Sequence, residues 1–374
     1  MRLLDDRKII CCVGSGGVGK TTTSAALALR AAMDGKKALV LTIDPARRLA
    51  NSLGLKELGN EETRIDPTHF AEAKLRPRGE MWAMMLNLKG SWDELVRKNA
   101  RSPGQAEAIL GNKLYQTLST AMAGSLEYIA MEKVYELYAS GRYDVVVLDT
   151  PPTSNALDFL HAPDRILGVL DNNAMRIVLG PMLKAGKVGF RLLAAPSSLV
   201  LRTLARFTGS DFLRDLATFM MAFEGMYEGF KDRAGKVKAA LSSPQTGFVL
   251  VTSPNPLITQ EALFFHRALE HDGIRTAAVV VNRVQRDPRR HGGPDNVRAI
   301  EEALQLAQIK ADKQLAERLC ETLTEQAILA DLDRREIDRL RDTLRGVPLV
   351  TVPRLRKDVH DLAGLWQIDE YLGD

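Results

Sequence analysis

The sequence contains little cysteine, almost no net charge and no long apolar run. Three of its 374 residues are cysteine, with neither a CxxC motif nor a cysteine–histidine spacing among them. Three thiols are too few for a disulfide framework, as expected of a protein kept in a reducing compartment. The spacing also argues against a zinc site built from this chain alone, because such sites need clustered thiolate and imidazole ligands.

The charges nearly cancel, with 51 lysines and arginines against 47 aspartates and glutamates. A nucleic-acid groove needs a concentrated basic face, so this balance argues against nucleic-acid binding. The densest basic segment contains Arg283, Arg286, Arg289 and Arg290. We interpret it as a solvated loop rather than a polyanion site.

The lack of a long apolar run bears on where in the cell the protein is expected. No uninterrupted stretch is long enough to span a bilayer, so no transmembrane segment is predicted. The first eight residues are charged, and no signal-peptide apolar core follows them. We therefore expect a cytoplasmic protein.

Short apolar runs that end in a polar residue or proline recur along the chain. Residues 8–13 read as a strand, 21–33 as a helix and 37–43 as a second strand, which together form a βαβ unit. Four more runs follow the same pattern, at 145–148, 248–252, 277–281 and 347–352. The sequence predicts a doubly wound, mostly parallel α/β sheet, with five polar loops converging at the carboxyl edge where such sheets bind ligands.

Long helical stretches separate these strands. We expect one P-loop domain over 1–374, because no Ser/Gly/Pro-rich linker divides the chain. Helical insertions at 89–140 and 155–240 are predicted to form a subdomain. Residues 295–345 read as one or two charged amphipathic helices.

The strongest motif lies between the first strand and the first helix. It satisfies GxxxxGK[ST] in the strand–loop–helix context that makes the pattern informative. Its glycines let backbone N–H groups wrap a phosphate, and the helix adds its positive dipole end. Lys20 is expected to reach the β- and γ-phosphates of ATP, and Thr21 to bind Mg²⁺. The predicted binding residues are Gly14, Ser15, Gly16, Gly17, Val18, Gly19, Lys20, Thr21 and Thr22.

A phosphate loop also needs an acidic anchor for the metal after a neighbouring strand. Asp149 follows the apolar run 145–148 and fits this role, although it could instead be a helix N-cap. Asp44 ends the second predicted strand. It is either an outer ligand of the metal or a turn residue before Pro45.

These motifs as a set resemble the ArsA-type P-loop ATPases. The residues that carry the resemblance are Gly14 to Thr22, Asp44 to Ala46, Asp149 to Thr153, and Pro353. The family includes the ATPase subunit of arsenite pumps and the eukaryotic ATPase that targets tail-anchored membrane proteins. The resemblance spans nearly the whole chain and is closest to the single-domain bacterial members.

The resemblance implies further roles. Asn282 matches the asparagine that recognises adenine, and the loop from Pro353 to His360, with Pro353 and Arg354 as its predicted contacts, matches the one that covers the base. Residues 44–53 correspond to the first switch and 149–155 to the second. Members of the family form dimers that close around ATP, reopen after hydrolysis, and move a helical subdomain.

The sequence also departs from the family. Ser15 stands where members usually carry a lysine that crosses to the partner subunit's nucleotide. Asn51 stands where an aspartate positions the attacking water, and Asn255 replaces an acidic residue. The zinc-binding CxxC pair and the arsenite-binding cysteine triad have no counterparts. Hydrolysis is therefore expected to be slow, unless a related ATPase supplies the missing lysine in a heterodimer.

Phe and Met side chains recur at helical spacing within residues 212–230, forming one apolar face. This stripe is either packed in the subdomain core, the interpretation we favour, or a groove for a hydrophobic protein client.

We accordingly predict an enzyme that hydrolyses MgATP to ADP and phosphate in a homo- or heterodimer gated by nucleotide, with a hydrophobic client. Lys20, Asn51 and Asp149 are the predicted catalytic residues, and Thr21, Asp149 and Asp44 the metal ligands. The alternatives are an ATPase subunit of an arsenite-type anion efflux system and an ATP-dependent partner-binding switch with little turnover.

Overall fold

The computed structural model describes residues 2–44, 48–113, 115–116, 125–150, 229, 231–291, 294, 296–310 and 312–372. These residues build an eight-stranded sheet in the order β3-β4-β2-β5-β1-β6-β7-β8. All neighbours are parallel except β3 and β4, which pair antiparallel. The strands are β1 Ile9–Val13, β2 Lys37–Thr42, β3 Thr63–Arg64, β4 Glu80–Met85, β5 Val145–Asp149, β6 Thr246–Thr252, β7 Thr276–Val284 and β8 Leu349–Pro353.

Helices cover both faces of this sheet, which explains why its central strands are almost uniformly apolar. Every residue of β1, β5 and β6 is buried. Backbone at 231–241 is also helical. The other described α-helices are α1 Lys20–Met33, α2 Arg48–Ser52, α3 Pro67–Glu72, α4 Leu88–Asn99, α5 Pro103–Leu110, α6 Ser125–Ala139, α7 Pro256–His271, α8 Val297–Leu306, α9 Lys313–Thr343 and α10 Leu362–Leu372.

Two apolar layers, one on each face, form the core. Ile9 and Cys11 of β1 belong to the layer that contains α4, α6, α7 and the end of α9. Ile10 and Cys12 belong to the opposite layer, with α1 and α10. Alternate strand residues point to opposite faces, so β1 contributes to both layers. The predicted α/β fold with a parallel sheet is confirmed.

The edge of the sheet was not predicted. β4 has the sequence Glu-Met-Trp-Ala-Met-Met, which lacks the β-branched residues that favour strands. The chain from 89 to 140 contains α4, α5 and α6, as its helical pattern predicts. Residues 151–228 lie outside the described residues, so the subdomain at 155–240, the second switch beyond Thr150 and most of the stripe at 212–230 stay predictions.

Within the described part of the chain, no helix is both long and apolar enough to cross a bilayer.

Candidate functional site

The loop between β1 and α1 can be built only with glycine at two positions. Gly14 has a φ of 151°, and a Cβ there would lie 2.1 Å from the carbonyl oxygen of Val251. Gly19 has a φ of 101°, and a Cβ there would lie 2.2 Å from Nδ2 of Asn282. Contacts this short cannot form, so these two glycines let the loop pass close to β6 and β7.

Lys20 begins α1 and lies inside the loop. Its side chain is 6% exposed, and Nζ donates to the carbonyl oxygens of Gly14 and Ser15, at 2.8 Å each. Burial lowers the pKa of Lys20, and the neighbouring Asp149 carboxylate opposes that effect. A buried ammonium held by neutral carbonyls alone is incompletely compensated, so the site favours an anion beside it.

Asp149 joins three elements at the carboxyl edge of the sheet. Its Oδ2 accepts hydrogen bonds from Thr21 Oγ1 and from Thr42 Oγ1, at 2.8 Å each. The residue is 1% exposed, and burial raises its pKa from 3.8 to about 6 although both hydrogen bonds oppose the rise. Among the described residues, no donor reaches its Oδ1.

This arrangement fits a magnesium ion. A buried carboxylate oxygen without a partner, beside a threonine hydroxyl, supplies the hard oxygen ligands that Mg²⁺ prefers. A bound cation would also offset the burial that raises the pKa of Asp149. Thr21 and Asp149, both predicted as metal ligands, contact each other directly.

A cavity of about 410 Å³ lies over Lys20 and Thr21. Asp44 and Asn51, the two predicted residues of the first switch, both line it. The carboxylate of Asp44 lies 3.4 Å from the guanidinium of Arg48, which also lines the cavity. Asn51 is on the exposed face of α2.

A second cavity, of about 600 Å³, lies beside the first. Asn282, Pro353 and Arg354, all predicted to contact the base, line it. The Asn282 amide nitrogen donates to the carbonyl oxygen of Val18 at 2.9 Å, so the base side is tied directly to the phosphate loop. The Arg354 N–H donates to the Val284 carbonyl at 2.8 Å, which holds the last loop against β7.

The two cavities share part of their lining, so they form one continuous cleft. The residues that line both are Gly19, Thr22, Arg283, Asp358 and Val359. A cleft with a phosphate-loop motif at one end and a cavity of about 600 Å³ at the other suits a ligand with a phosphate end and a ring end.

Several residues of the site were missed by sequence reasoning. Thr42, the last residue of β2, lies opposite Asp149 in the strand register, and a polar residue at that strand end was the available signal. Glu261 of α7 accepts a hydrogen bond from Ser15 Oγ. Asp333 of α9 lines the wider cavity and accepts from the N–H of Gln285 at 2.7 Å. No local pattern marks Glu261 or Asp333, since both depend on how helices dock.

The arginine-rich segment begins in β7 with Arg283, and its arginines have different surroundings. Arg289 is paired with Asp287 and Asp331, and Arg334 with the same Asp287, at 2.9 Å in each case. These pairs fasten the segment to α9. Arg283 instead lines both cavities of the cleft. Arg283 is exposed, as a solvated position would be, and it also faces the cleft.

Comparison with known proteins gives a consistent result. A model of the family of anion-transporting ATPases matches residues 7–317. ATPase get3 of Sclerotinia sclerotiorum is 28% identical over 285 residues, covering 75% of this chain and 74% of that protein. ATPase GET3 of Malassezia globosa is 30% identical over 185 residues, which cover 49% of this chain and 51% of the relative.

A putative arsenical pump-driving ATPase of Prosthecochloris vibrioformis is 33% identical over 159 residues, covering 42% of this chain and 36% of that protein. The chain thus spans only about half of the Malassezia relative and about a third of the Prosthecochloris one.

Proposed function

This chain belongs to the family of anion-transporting ATPases, and on that premise we propose that it binds MgATP and hydrolyses it to ADP and phosphate. The observation that carries the proposal is the position of Asp149. Its buried carboxylate contacts the hydroxyl of Thr21 at the end of the phosphate loop, and its second oxygen is left for a ligand. A phosphate loop and an acidic strand end together are what phosphoryl transfer requires.

The chemistry follows from positioning and charge. Lys20 would turn from the Gly14 and Ser15 carbonyls to the terminal phosphates, because an anion is a better partner for an ammonium than a neutral oxygen. Thr21 and Asp149 would hold Mg²⁺, which supplies charge neutralisation of the β- and γ-oxygens. Asn51 would orient the attacking water through its amide. No covalent nucleophile is required.

The base would lie in the cavity of about 600 Å³. Asn282 would offer its amide to the purine edge while its position is fixed by the Val18 carbonyl. Pro353 and Arg354 would cover the ring. A single cleft then carries both ends of the nucleotide, and Gly19 marks the boundary between them.

We further propose that the chain acts as a dimer gated by nucleotide, with a hydrophobic protein client. Support for the dimer comes from the resemblance to the ArsA-type family, and support for the client from the second interpretation of the Phe/Met stripe, as a groove. Apolar side chains that are about half exposed or more on the described surface add to it, namely Leu257, Phe264, Ile328, Leu329 and Leu332. Exposed apolar side chains mark an interaction site where they form one contiguous patch.

Metalloid efflux is the weaker alternative because of where the thiols lie. Cys11 and Cys12 are both 0% exposed and belong to opposite layers of the core. Burial raises the pKa of Cys12 to about 12 and also raises that of Cys11, so neither is a ready thiolate. Cys320, the remaining cysteine, is in α9. Three thiols so placed cannot bind one metalloid ion.

The stronger alternative is a binding switch with little turnover. Asn51 favours it, because an amide orients water but accepts a proton poorly. A heterodimer would instead compensate for the missing lysine at position 15, since a related ATPase could then contribute that lysine.

Two measurements on the purified chain test the proposal. Phosphate release from ATP is followed with and without Mg²⁺, and the molar mass is measured by light scattering in the ATP-, ADP- and nucleotide-free states. We expect metal-dependent release and an ATP-dependent shift from monomer towards dimer. Tight ATP binding without release would favour the switch, and release that begins only after a related ATPase is added would favour the heterodimer.

Client binding is tested separately. A fluorescent peptide with the apolar sequence of a transmembrane helix is titrated in the presence of ATP or ADP, with a scrambled polar peptide as control. Anisotropy that rises only for the apolar peptide and differs between the nucleotides would support a gated client site. Equal responses to both peptides would contradict it.

A further inference from the structure

Arg283 occupies the boundary between the two cavities. Of the described residues that line both cavities, it alone carries a positive charge. Lys20 and Arg48 line only the narrower cavity, whereas Arg354 and Lys357 line only the wider one. A phosphate chain that runs from the phosphate loop towards a base in the wider cavity must pass this boundary.

The backbone at Arg283 is held in an uncommon conformation. Its φ is 61°, a left-handed value that a residue with a Cβ adopts only under constraint. The pairing of β7 with β8 shifts register between Val281 and Val284, so the strand is irregular at this position. Left-handed non-glycine residues of this kind cluster at functional sites.

Contacts on both sides enforce this conformation. The Arg283 N–H donates to Oδ1 of Asn282 at 2.9 Å, while the amide nitrogen of Asn282 is held by the phosphate loop. The Val284 carbonyl accepts from Arg354, and the Gln285 N–H donates to Asp333. The backbone on each side of Arg283 is therefore fixed, which points its side chain into the cleft in advance of any ligand.

The guanidinium of Arg283 is not committed to another group. Within the described part of the chain it has neither a hydrogen bond nor an ion pair, and its side chain is exposed. The neighbouring arginines differ. Arg289 is paired with two aspartates, and Arg48 lies beside Asp44.

Position 15 supplies no cation to the phosphate loop. Ser15 carries no charge, and its hydroxyl donates to the carboxylate of Glu261. That carboxylate makes the start of the phosphate loop more negative, which is unfavourable beside a triphosphate. Lys20 is then left as the loop's own cation.

Resting on the proposed function, we propose that Arg283 binds the phosphate chain of ATP from within the same chain and supplies the cation that Ser15 does not. Its planar fork can hold two phosphate oxygens at once, which a point charge cannot. The site is then complete in a single subunit, and no lysine from a partner is needed.

The test compares Arg283→Gln with Arg286→Gln, a matched control. Arg286 is exposed, lies in the same segment and lines neither cavity. Calorimetry measures the affinity of each variant for ATP, ADP and adenosine. We expect Arg283→Gln to weaken ATP and ADP binding about 10- to 100-fold and adenosine binding less than about twofold. Arg286→Gln should match the wild type with all three.

Arg283→Gly separates the role of the side chain from that of the backbone. Glycine accepts a positive φ, so this variant should melt at or above the wild-type temperature while it loses phosphate affinity. Arg283→Lys keeps the charge without the fork and should recover part of the lost ATP affinity.

Two results would overturn the proposal. One is ATP affinity in Arg283→Gln equal to that of the wild type. The other is an equal loss for adenosine and ATP, which would assign Arg283 to the shape of the cleft. Failure of the proposed function is a separate result, because the wild type itself would then not bind ATP.

Discussion

The two halves of the cleft are built in different ways. In the phosphate half, the residues predicted to contact phosphate are consecutive, from Gly14 to Thr22, and the key side chains of Lys20 and Asp149 are almost fully buried. In the base half, the lining comes mostly from the ends of β7 and β8, from the segments that follow β6, β7 and β8, and from α9 and α10. The first half is therefore a local motif, and the second a meeting of distant loops.

This difference determines what each half tolerates. Buried polar groups in the phosphate half depend on one another, since Asp149 joins Thr21 to Thr42. In the base half the loops are held by separate contacts, such as the hydrogen bond from the Arg354 N–H to the Val284 carbonyl. We expect substitutions in the phosphate half to abolish binding and those in the base half to alter it by degrees.

The largest effect is expected from Lys20→Ala, which tests whether the phosphate half alone determines affinity. Removing a buried ammonium beside a triphosphate should weaken ATP binding about 100-fold or more. Lys236→Ala, an exposed lysine paired with Asp232, is the control and should have no effect. Calorimetry measures the dissociation constant of ATP for both variants. Nucleotide affinity that survives in Lys20→Ala would contradict the whole interpretation of the cleft.

Asp149→Asn should have the next largest effect, on metal dependence. The wild type is expected to bind ATP at least about tenfold more tightly with Mg²⁺ than with a chelator, and the variant should lose that difference. Titrations with and without Mg²⁺ measure it. A variant that keeps the full magnesium effect would show that another residue is the anchor.

The same residue predicts a pH dependence in the nucleotide-free protein. The folded pKa of Asp149 is about 6 against an ordinary value of 3.8. The stabilising contribution is thus fully present below about pH 4 and is lost as the pH rises through about 6. From about pH 3 to about pH 7, the free energy of unfolding of the wild type relative to Asp149→Asn should fall by about 3 kcal/mol in total. Urea unfolding across this range measures it, and a constant difference would contradict the assignment.

The sequence predicts the phosphate half better than the base half, because the first is a local motif and the second depends on how distant segments pack. The spacing in residues 14–21 predicted the loop and the roles of Lys20 and Thr21, because one turn and one helix start fix their geometry. The strand pattern predicted the parallel order that brings Asp149 to the loop. β4 was missed because its methionines carry no strand signal.

The base half was predicted only through the family resemblance, which named Asn282 and Pro353. The pairing of Arg289 with Asp287 and Asp331 was not predicted, since charge density cannot distinguish a paired arginine from an uncommitted one. The contact of Glu261 with Ser15 depends on the docking of α7 against the loop. No periodicity encodes such a contact.

Gly19→Ala tests the boundary between the halves. A Cβ at position 19 would clash with the Asn282 amide. The backbone of the loop would also hold alanine at a φ of 101°, which is unfavourable for a residue with a Cβ. We expect about tenfold weaker ATP binding, because both halves are displaced together. Gly273→Ala is the matched control, since Gly273 has a φ of 72° with open space around its Cβ position.

The control should lose about 1 kcal/mol of stability and no nucleotide affinity. Thermal melting and calorimetry on both variants separate strain from displacement of Asn282. Equal binding losses in the two variants would mean that the halves are not coupled through Gly19.

The smallest effect, on ATP turnover, is expected from Ser15→Lys, which tests whether the phosphate half lacks a cation. The new ammonium would lie next to the Glu261 carboxylate that now accepts from Ser15, so it would pair within the chain. With Arg283 already at the boundary, ATP turnover should change less than about threefold. Glu261→Gln combined with Ser15→Lys frees the lysine and is the matched comparison. A tenfold rise in turnover for Ser15→Lys alone, with a tighter dimer by light scattering, would show that the site does need a cation from a partner and that Arg283 does not supply it.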